Sequence, residues 1–171
     1  VFPNLKTSTS WYKDFSTVKV IPRSELESYS IHLPGANIVY RAGTRLVKIT
    51  TDPKVYAIEP GGKLRWIKDE ATAKALYGAS WAKQVDDVSD AFFTSYNVGA
   101  DLSGTTLPDG SLVKSGSNWY YLDGGKKRMV SDAAFAGNNF NAAYAISLAD
   151  VSAYADGAAL GETAVADAAQ G

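Results

Sequence analysis

Cysteine is absent from this 171-residue chain, and histidine and methionine occur once each. Without cysteine there is no disulfide, no thiolate zinc site and no cysteine-ligated iron–sulfur cluster. The single histidine, His32, has no second imidazole to work with. A Ser–His–Asp site needs three groups within hydrogen-bond reach. The flanking Ser30-Ile31-His32-Leu33-Pro34 contains no nucleophile elbow and reads as a loop carrying a surface or packing histidine. No apolar run approaches the ~18 residues a membrane-spanning helix needs, and no basic amphipathic segment suits a membrane surface. Net charge is −1, with no run of five like charges, so the basic stripe of a nucleic-acid binder is missing. The phosphate-loop, dinucleotide-loop and H-E-x-x-H patterns are all lacking. The expectation is a non-enzyme without cofactor or metal.

What the chain does contain is ten tyrosines, fifteen glycines and an internal repeat. One copy begins Gly43-Thr44-Arg45-Leu46-Val47-Lys48 and the other Gly110-Ser111-Leu112-Val113-Lys114. A tyrosine-bearing strand follows in each, Lys54-Val55-Tyr56-Ala57-Ile58 and Trp119-Tyr120-Tyr121-Leu122. Glycine turns come next, Pro60-Gly61-Gly62 and Asp123-Gly124-Gly125, then basic strands, Lys63-Leu64-Arg65-Trp66-Ile67 and Lys126-Lys127-Arg128-Met129-Val130. The second half of the unit recurs three times, with endings Tyr29…Gly35…Ile38, Tyr96…Gly99…Leu102 and Tyr154…Gly157…Leu160. The period is roughly 60 residues, longer than the short solenoid units. This divides the chain into a half repeat (1–42), two full repeats (43–102 and 103–160) and a flexible or partner-bound tail (161–171). Val1-Phe2-Pro3-Asn4 does not read as a signal peptide, and a start at Val1 suits a processed or excised chain.

Period-two spacing of Leu46/Lys48, Val55/Ala57 and Leu64/Trp66 predicts a three-stranded meander, and the paired glycines supply the positive φ that tight hairpins demand. Asp69 and Ser131 are suitable N-caps for short helices over 70–77 and 132–136, with Gly78 and Gly137 as C-terminal glycines. A strand is expected at Val18-Lys19-Val20-Ile21, then a helical turn in which Ser24 is a candidate cap. Ser89 and Ser147 precede matching turns at 90–96 and 148–154. The predicted fold class is β-rich α+β, built from tandem units that are each a three- to four-stranded meander with short helices.

The signature G-[ST]-x-L-V-K, V-Y-x-I, G-K-K-R and an apolar–acidic helix start resembles repeat modules of secreted and cell-envelope proteins from poorly characterised bacteria. It is carried by Ser111-Leu112-Val113-Lys114, Tyr120-Tyr121-Leu122, Gly125-Lys126-Lys127-Arg128 and Ser131…Phe135, and by the half unit Val18-Lys19-Val20-Ile21…Ser24-Glu25-Leu26…Tyr29. The first copy departs from it, with Leu64 in place of the second basic residue and Pro60 before the turn. The resemblance implies an extracellular or cell-surface location and no particular chemistry. Gly116-Ser117-Asn118-Trp119-Tyr120-Tyr121 is also similar to the aromatic hairpins of choline-binding cell-wall repeats, which are much shorter.

Five residues are candidate ligand contacts: Trp119, Tyr120, Trp66, Arg65 and Arg128. Aromatic rings stack on sugar faces, and recurring cations grip anionic groups or lay their stems over rings. Asp86, Asp87 and Asp90 cluster without the D-x-D-x-D-G rhythm of a calcium loop. The functional expectation is a structural or adhesion module contacting other protein chains, itself included. The alternative is a module that binds a surface glycan or the cell wall.

Overall fold

The computed structural model describes residues 2–28, 37–102, 104 and 106–165. Helices α1 (Leu5–Trp11) and α2 (Arg23–Leu26) come first. A meander of β1 (Leu46–Ile49), β2 (Val55–Glu59) and β3 (Lys63–Ile67) leads into α3 (Glu70–Tyr77), a 3-10 turn at Trp81–Gln84, β4 (Val85–Val88), α4 (Asp90–Phe93) and β5 (Asn97–Val98). The second meander is β6 (Leu112–Ser115), β7 (Asn118–Asp123) and β8 (Lys126–Val130). It is followed by α5 (Asp132–Gly137), a 3-10 turn at Ala142–Tyr144, β9 (Ile146–Ser147) and β10 (Ala155–Asp156).

The strands make two mixed five-stranded sheets, ordered β4-β1-β2-β3-β5 and β9-β6-β7-β8-β10. In each, the meander is antiparallel and the two outer strands run parallel to their neighbours. The molecule is a β-rich α+β fold with few and short helices. The hairpins form where the paired glycines predict them: Gly61 and Gly62 sit at φ 76° and 67°, Gly124 and Gly125 at 59° and 70°. The second turn is a two-residue loop between Asp123 and Lys126, whereas Pro60 lengthens the first between Glu59 and Lys63.

Three helices are capped alike. Asn4 accepts from the Thr7 amide at 2.9 Å, Asp69 from the Thr72 amide at 2.7 Å, and Ser131 from the Ala134 amide at 3.1 Å. Each side chain satisfies one of the amides that a helix start leaves without a partner. The central core lies between the sheets and draws Leu46 and Ala57 from one, Val113 and Leu122 from the other, and Leu76, Tyr77 and Tyr154 from their flanks. Tyr40, Tyr56, Leu64 and Tyr96 fill the far side of the first sheet, and Tyr121, Val130, Ala134 and Leu160 that of the second. Buried phenols act as pegs: Tyr96 Oη accepts from the Tyr40 amide at 3.1 Å, and Tyr154 Oη from the Leu107 amide at 2.8 Å. Burial pushes the Tyr96 phenol up to about 12, so it remains neutral at ordinary pH.

Four local expectations are corrected. Residues 18–21 are not a strand, because no sheet edge among the described residues lies beside them. Ser24 falls inside α2, whose N-cap is Pro22. Residues 148–154 form no helix: the Asp150 carboxylate accepts from both the amide (2.8 Å) and the hydroxyl (2.6 Å) of Ser152 and closes a tight turn instead. Gly137 belongs to α5, and the positive φ falls on Asn139 at 53°. Gly137 is needed for closeness, since a Cβ there would stand 2.3 Å from the Glu162 carbonyl oxygen. The ending Tyr29…Gly35 lies outside the described residues. Of the stretch 161–171, residues 161–165 are described: residues 161–164 are exposed and Val165 is half-buried against the second sheet's outer cluster. The fully buried Asn138 donates to the carbonyls of Ala134 and Gly161, each at 2.8 Å, and accepts from the Val165 amide at 2.7 Å.

The sheets meet where the chain enters each meander. Gly43, at φ 71°, lies so close to Gly110 that a Cβ would stand 2.2 Å from the Gly110 carbonyl oxygen. Gly61 has a similar φ but open space around it. Gly61→Ala is therefore expected to cost only the left-handed penalty, about 1–2 kcal/mol. Gly43→Ala adds a backbone clash and should cost about 2–5 kcal/mol. Urea unfolding midpoints of the two variants measure the difference, and equal losses would contradict the close approach.

Candidate functional site

The recurring arginines are turned onto their own chain in the same way. Arg65, on β3, donates from Nε to the Ala100 carbonyl (2.6 Å), from Nη2 to the Asp101 carbonyl (3.2 Å) and from Nη1 to the Glu59 carboxylate (2.7 Å). Arg128, on β8, donates from Nε to Ala158 (3.0 Å), from Nη2 to Ala159 (3.2 Å) and from Nη1 to the Asp123 carboxylate (2.8 Å). A planar guanidinium holds its donors in a fixed, spread fork that spans two successive carbonyls and an acid at once, where an ammonium offers a single compact centre. Each arginine thus clamps the chain leaving the outer strand, β5 or β10, to the meander hairpin.

The aromatic candidates separate. Trp119 has the Lys114 ammonium over its ring at 5.0 Å and Phe135 packed against it at 4.9 Å between ring centres. Tyr120 is half-buried against the central core. Trp66 is half-buried with the Lys54 ammonium over its ring at 5.0 Å. It shares an open groove of about 270 Å³ with Trp81, Lys68, Asp69 and Glu70. Both carboxylates in this groove are engaged, Asp69 in capping α3 and Glu70 with Lys74 at 2.9 Å. The hydrogen bond from the Thr72 amide holds the Asp69 carboxyl below its usual range, so it is not a proton donor near neutrality.

The aspartates at 86, 87 and 90 are not brought to one point. Asp86 is buried and bridges Lys6 (2.6 Å) and Arg45 (2.8 Å). Asp87 pairs with Lys48 at 2.6 Å, and Asp90 faces the Thr51 hydroxyl at 3.5 Å. Among the described residues no three His, Cys, Asp or Glu side chains gather as a metal would require. His32 lies outside the described residues.

Two features escape the sequence reading. Arg41 is buried, with burial pushing its guanidinium down to about 10, still charged at neutral pH. It donates to the carbonyls of Asn139 (3.1 Å) and Val165 (3.3 Å) and lies over the rings of Phe140 (4.7 Å) and Trp11 (5.5 Å). Nothing periodic marks it: two residues ahead of Gly110, where Arg41 stands before Gly43, the chain has Pro108. The second feature is surface: Leu5, Phe15, Val18, Val20 and Leu26 are all exposed, and all lie within residues 2–28. Their hydrophobic character was legible, but their lack of cover was not.

No protein family, no curated protein and no solved structure matches the chain.

Burial pushes the Asp86 carboxyl up, but hydrogen bonds from Arg45 and Lys6 outweigh it and leave its pKa below the ordinary value. A lowered folded value means that the stabilisation is complete above the unfolded pKa of about 4 and is lost as pH falls through the folded one. Denaturation midpoints should therefore decline below about pH 4. Asp86→Asn should remove part of that decline and cost about 1–3 kcal/mol at neutral pH. A pH series of urea melts on both proteins checks this, and an unaltered acid slope in the variant would refute it.

Proposed function

We propose that the chain is a non-catalytic structural or adhesion module of the cell surface or extracellular space. It acts through contacts with other protein chains, with self-assembly as one specific form. The observation that supports this reading is where the chemistry-bearing residues are spent. Arg65, Arg128, Asp86 and Asp87 are engaged with partners in their own chain, while exposed large apolar side chains collect in residues 2–28. Of the seven exposed large apolar side chains among the described residues, five lie in this segment, the others being Val98 and Met129, and a concentration of exposed apolar side chains suits a contact region. The two sheets are read as two copies of one unit, a reading supported by their common strand order and by the paired arginine clamps and tyrosine pegs. The cell-surface placement rests on the resemblance to envelope repeat modules alone.

A glycan-binding reading is favoured by one observation, the groove in which Trp66 and Trp81 lie together. Trp119 suits it less well, since Lys114 and Phe135 occupy the ring.

Light scattering coupled to size exclusion, followed by electron microscopy, tests the leading reading. Concentration-dependent oligomers or ordered polymers are expected, and their loss on Phe15→Ser/Val20→Ser would place the contact in the N-terminal segment. A strict monomer that retains surface polysaccharide, with retention abolished by Trp66→Ala, would replace it with the glycan reading.

A further inference from the structure

In both sheets the first meander strand has a parallel neighbour that comes from later in the chain. β4 lies beside β1 from Leu46↔Val85 to Ile49↔Val88, and β9 lies beside β6 at Val113↔Ile146 and Lys114↔Ser147. The parts that lead to each neighbour are constant: a meander, a capped helix (α3 or α5), a 3-10 turn, then the strand. Residues 4–26 repeat the later parts in the same order. Asn4 caps α1, turns follow, then residues 18–21, then α2, which matches α4 in length and in its place after the strand. Only the meander is missing from the described surroundings. Val18 and Val20 are 64% and 99% exposed, and residues 19–21 make no backbone hydrogen bond to any described residue.

We propose that residues 18–21 are a docking strand for a three-stranded antiparallel meander other than β1–β3 and β6–β8, and that they add in parallel to that meander's first strand as β4 adds to β1. This rests on reading the chain as a contact module, and names the partner. Strand addition supplies the unpaired amides and carbonyls with partners, while alternation sets Val18 and Val20 on one face and Ile21 on the other. β4 likewise carries apolar residues at both parities, Val85 and Val88, in the place that Val18 and Ile21 would take. A second folded copy of this chain does not offer the site, because its β1 and β6 edges are already occupied by β4 and β9. Charge narrows the partner further. β4 brings Asp86 and Asp87 to Arg45 and Lys48 of the first meander, whereas residues 18–21 bring Lys19. The fitting meander therefore resembles β6–β8, whose neighbour β9 is uncharged, more than β1–β3.

The test places an extra copy of residues 107–130 directly ahead of Val1 in the full chain, so that docking is intramolecular and the effective concentration high. Amide hydrogen exchange is read residue by residue. In the β6–β9 pairing the amides that donate are those in step with the Lys114 carbonyl oxygen, as Leu148 shows at 2.9 Å, and these correspond to Lys19 and Ile21. Exchange at Lys19 and Ile21 should slow by about 100-fold, a protection typical of a paired strand rather than a fraying one. An extra copy of residues 43–68 should protect less, and replacing Lys48 by Glu in that extra copy should restore protection. Lys19→Pro removes an amide the ladder needs, at an exposed position, and should abolish the gain at Ile21. Unchanged exchange at Lys19 and Ile21 overturns the proposal, as does protection of Ile21 that survives Lys19→Pro or that appears only with loss at Ile146–Ser147. If protection fails while the unmodified chain still forms oligomers, this partner falls and the contact-module reading stands. If both fail, both fall.

Discussion

A guanidinium buried with no carboxylate paired to it among the described residues is the constraint around which the pieces of this molecule are arranged. Arg41 follows the N-terminal segment and precedes the first meander, yet its contacts lie mostly elsewhere: Trp11 on α1, Phe140 and Asn139 after α5, and Val165 beyond the second sheet. Even its amide is tied across the chain, donating to the Ser10 hydroxyl at 3.0 Å. A cation removed from water loses several kcal/mol of hydration, and carbonyl dipoles and aromatic faces return that only if all are in place together. The arrangement is therefore cooperative. The N-terminal helix, the end of α5 and the described part of the tail must assemble around one side chain or not at all.

The same economy governs the sheets. A short two-residue strand such as β5 or β10 has too few ladder bonds to hold its own place. Arg65 and Arg128 supply the missing attachment by reaching from the meander to two carbonyls beyond the strand end. The acid that orients each guanidinium, Glu59 or Asp123, sits at the end of the neighbouring strand. Tyr96 and Tyr154 complete the closure from the other side through their buried oxygens. Cations and phenols that could have faced a ligand are thus drawn into holding outer strands, and what remains exposed is chiefly the apolar N-terminal segment.

The meanders, their glycine turns and the capped helix over Glu70–Tyr77 were legible in the sequence because each depends on local signals: alternation, paired glycines and a cap residue. The strand expected at 18–21 was not realised, although its pattern is as good as that of β4, because a strand exists only beside another strand. Gly137 was misplaced for a related reason: its use is the nearness of Glu162, a distant residue that no local pattern announces. The arginine positions were found through their recurrence, but their task was not, since the carbonyls they hold lie some thirty residues away. Arg41, with Pro108 at the matching distance before Gly110, left no trace at all.

Gly43 and Gly110 approach main chain to main chain, with the Ala42 methyl and the Pro60 ring closing around Gly110. At this point the two sheets stand little more than a peptide apart, and the spacing leaves no room for a side chain at either glycine. Side chains on either outer face can drift without altering that distance. The pair behaves as a ruler of invariant step, and any longer array joined through the same glycine contact would inherit one pitch, whatever its surfaces had become.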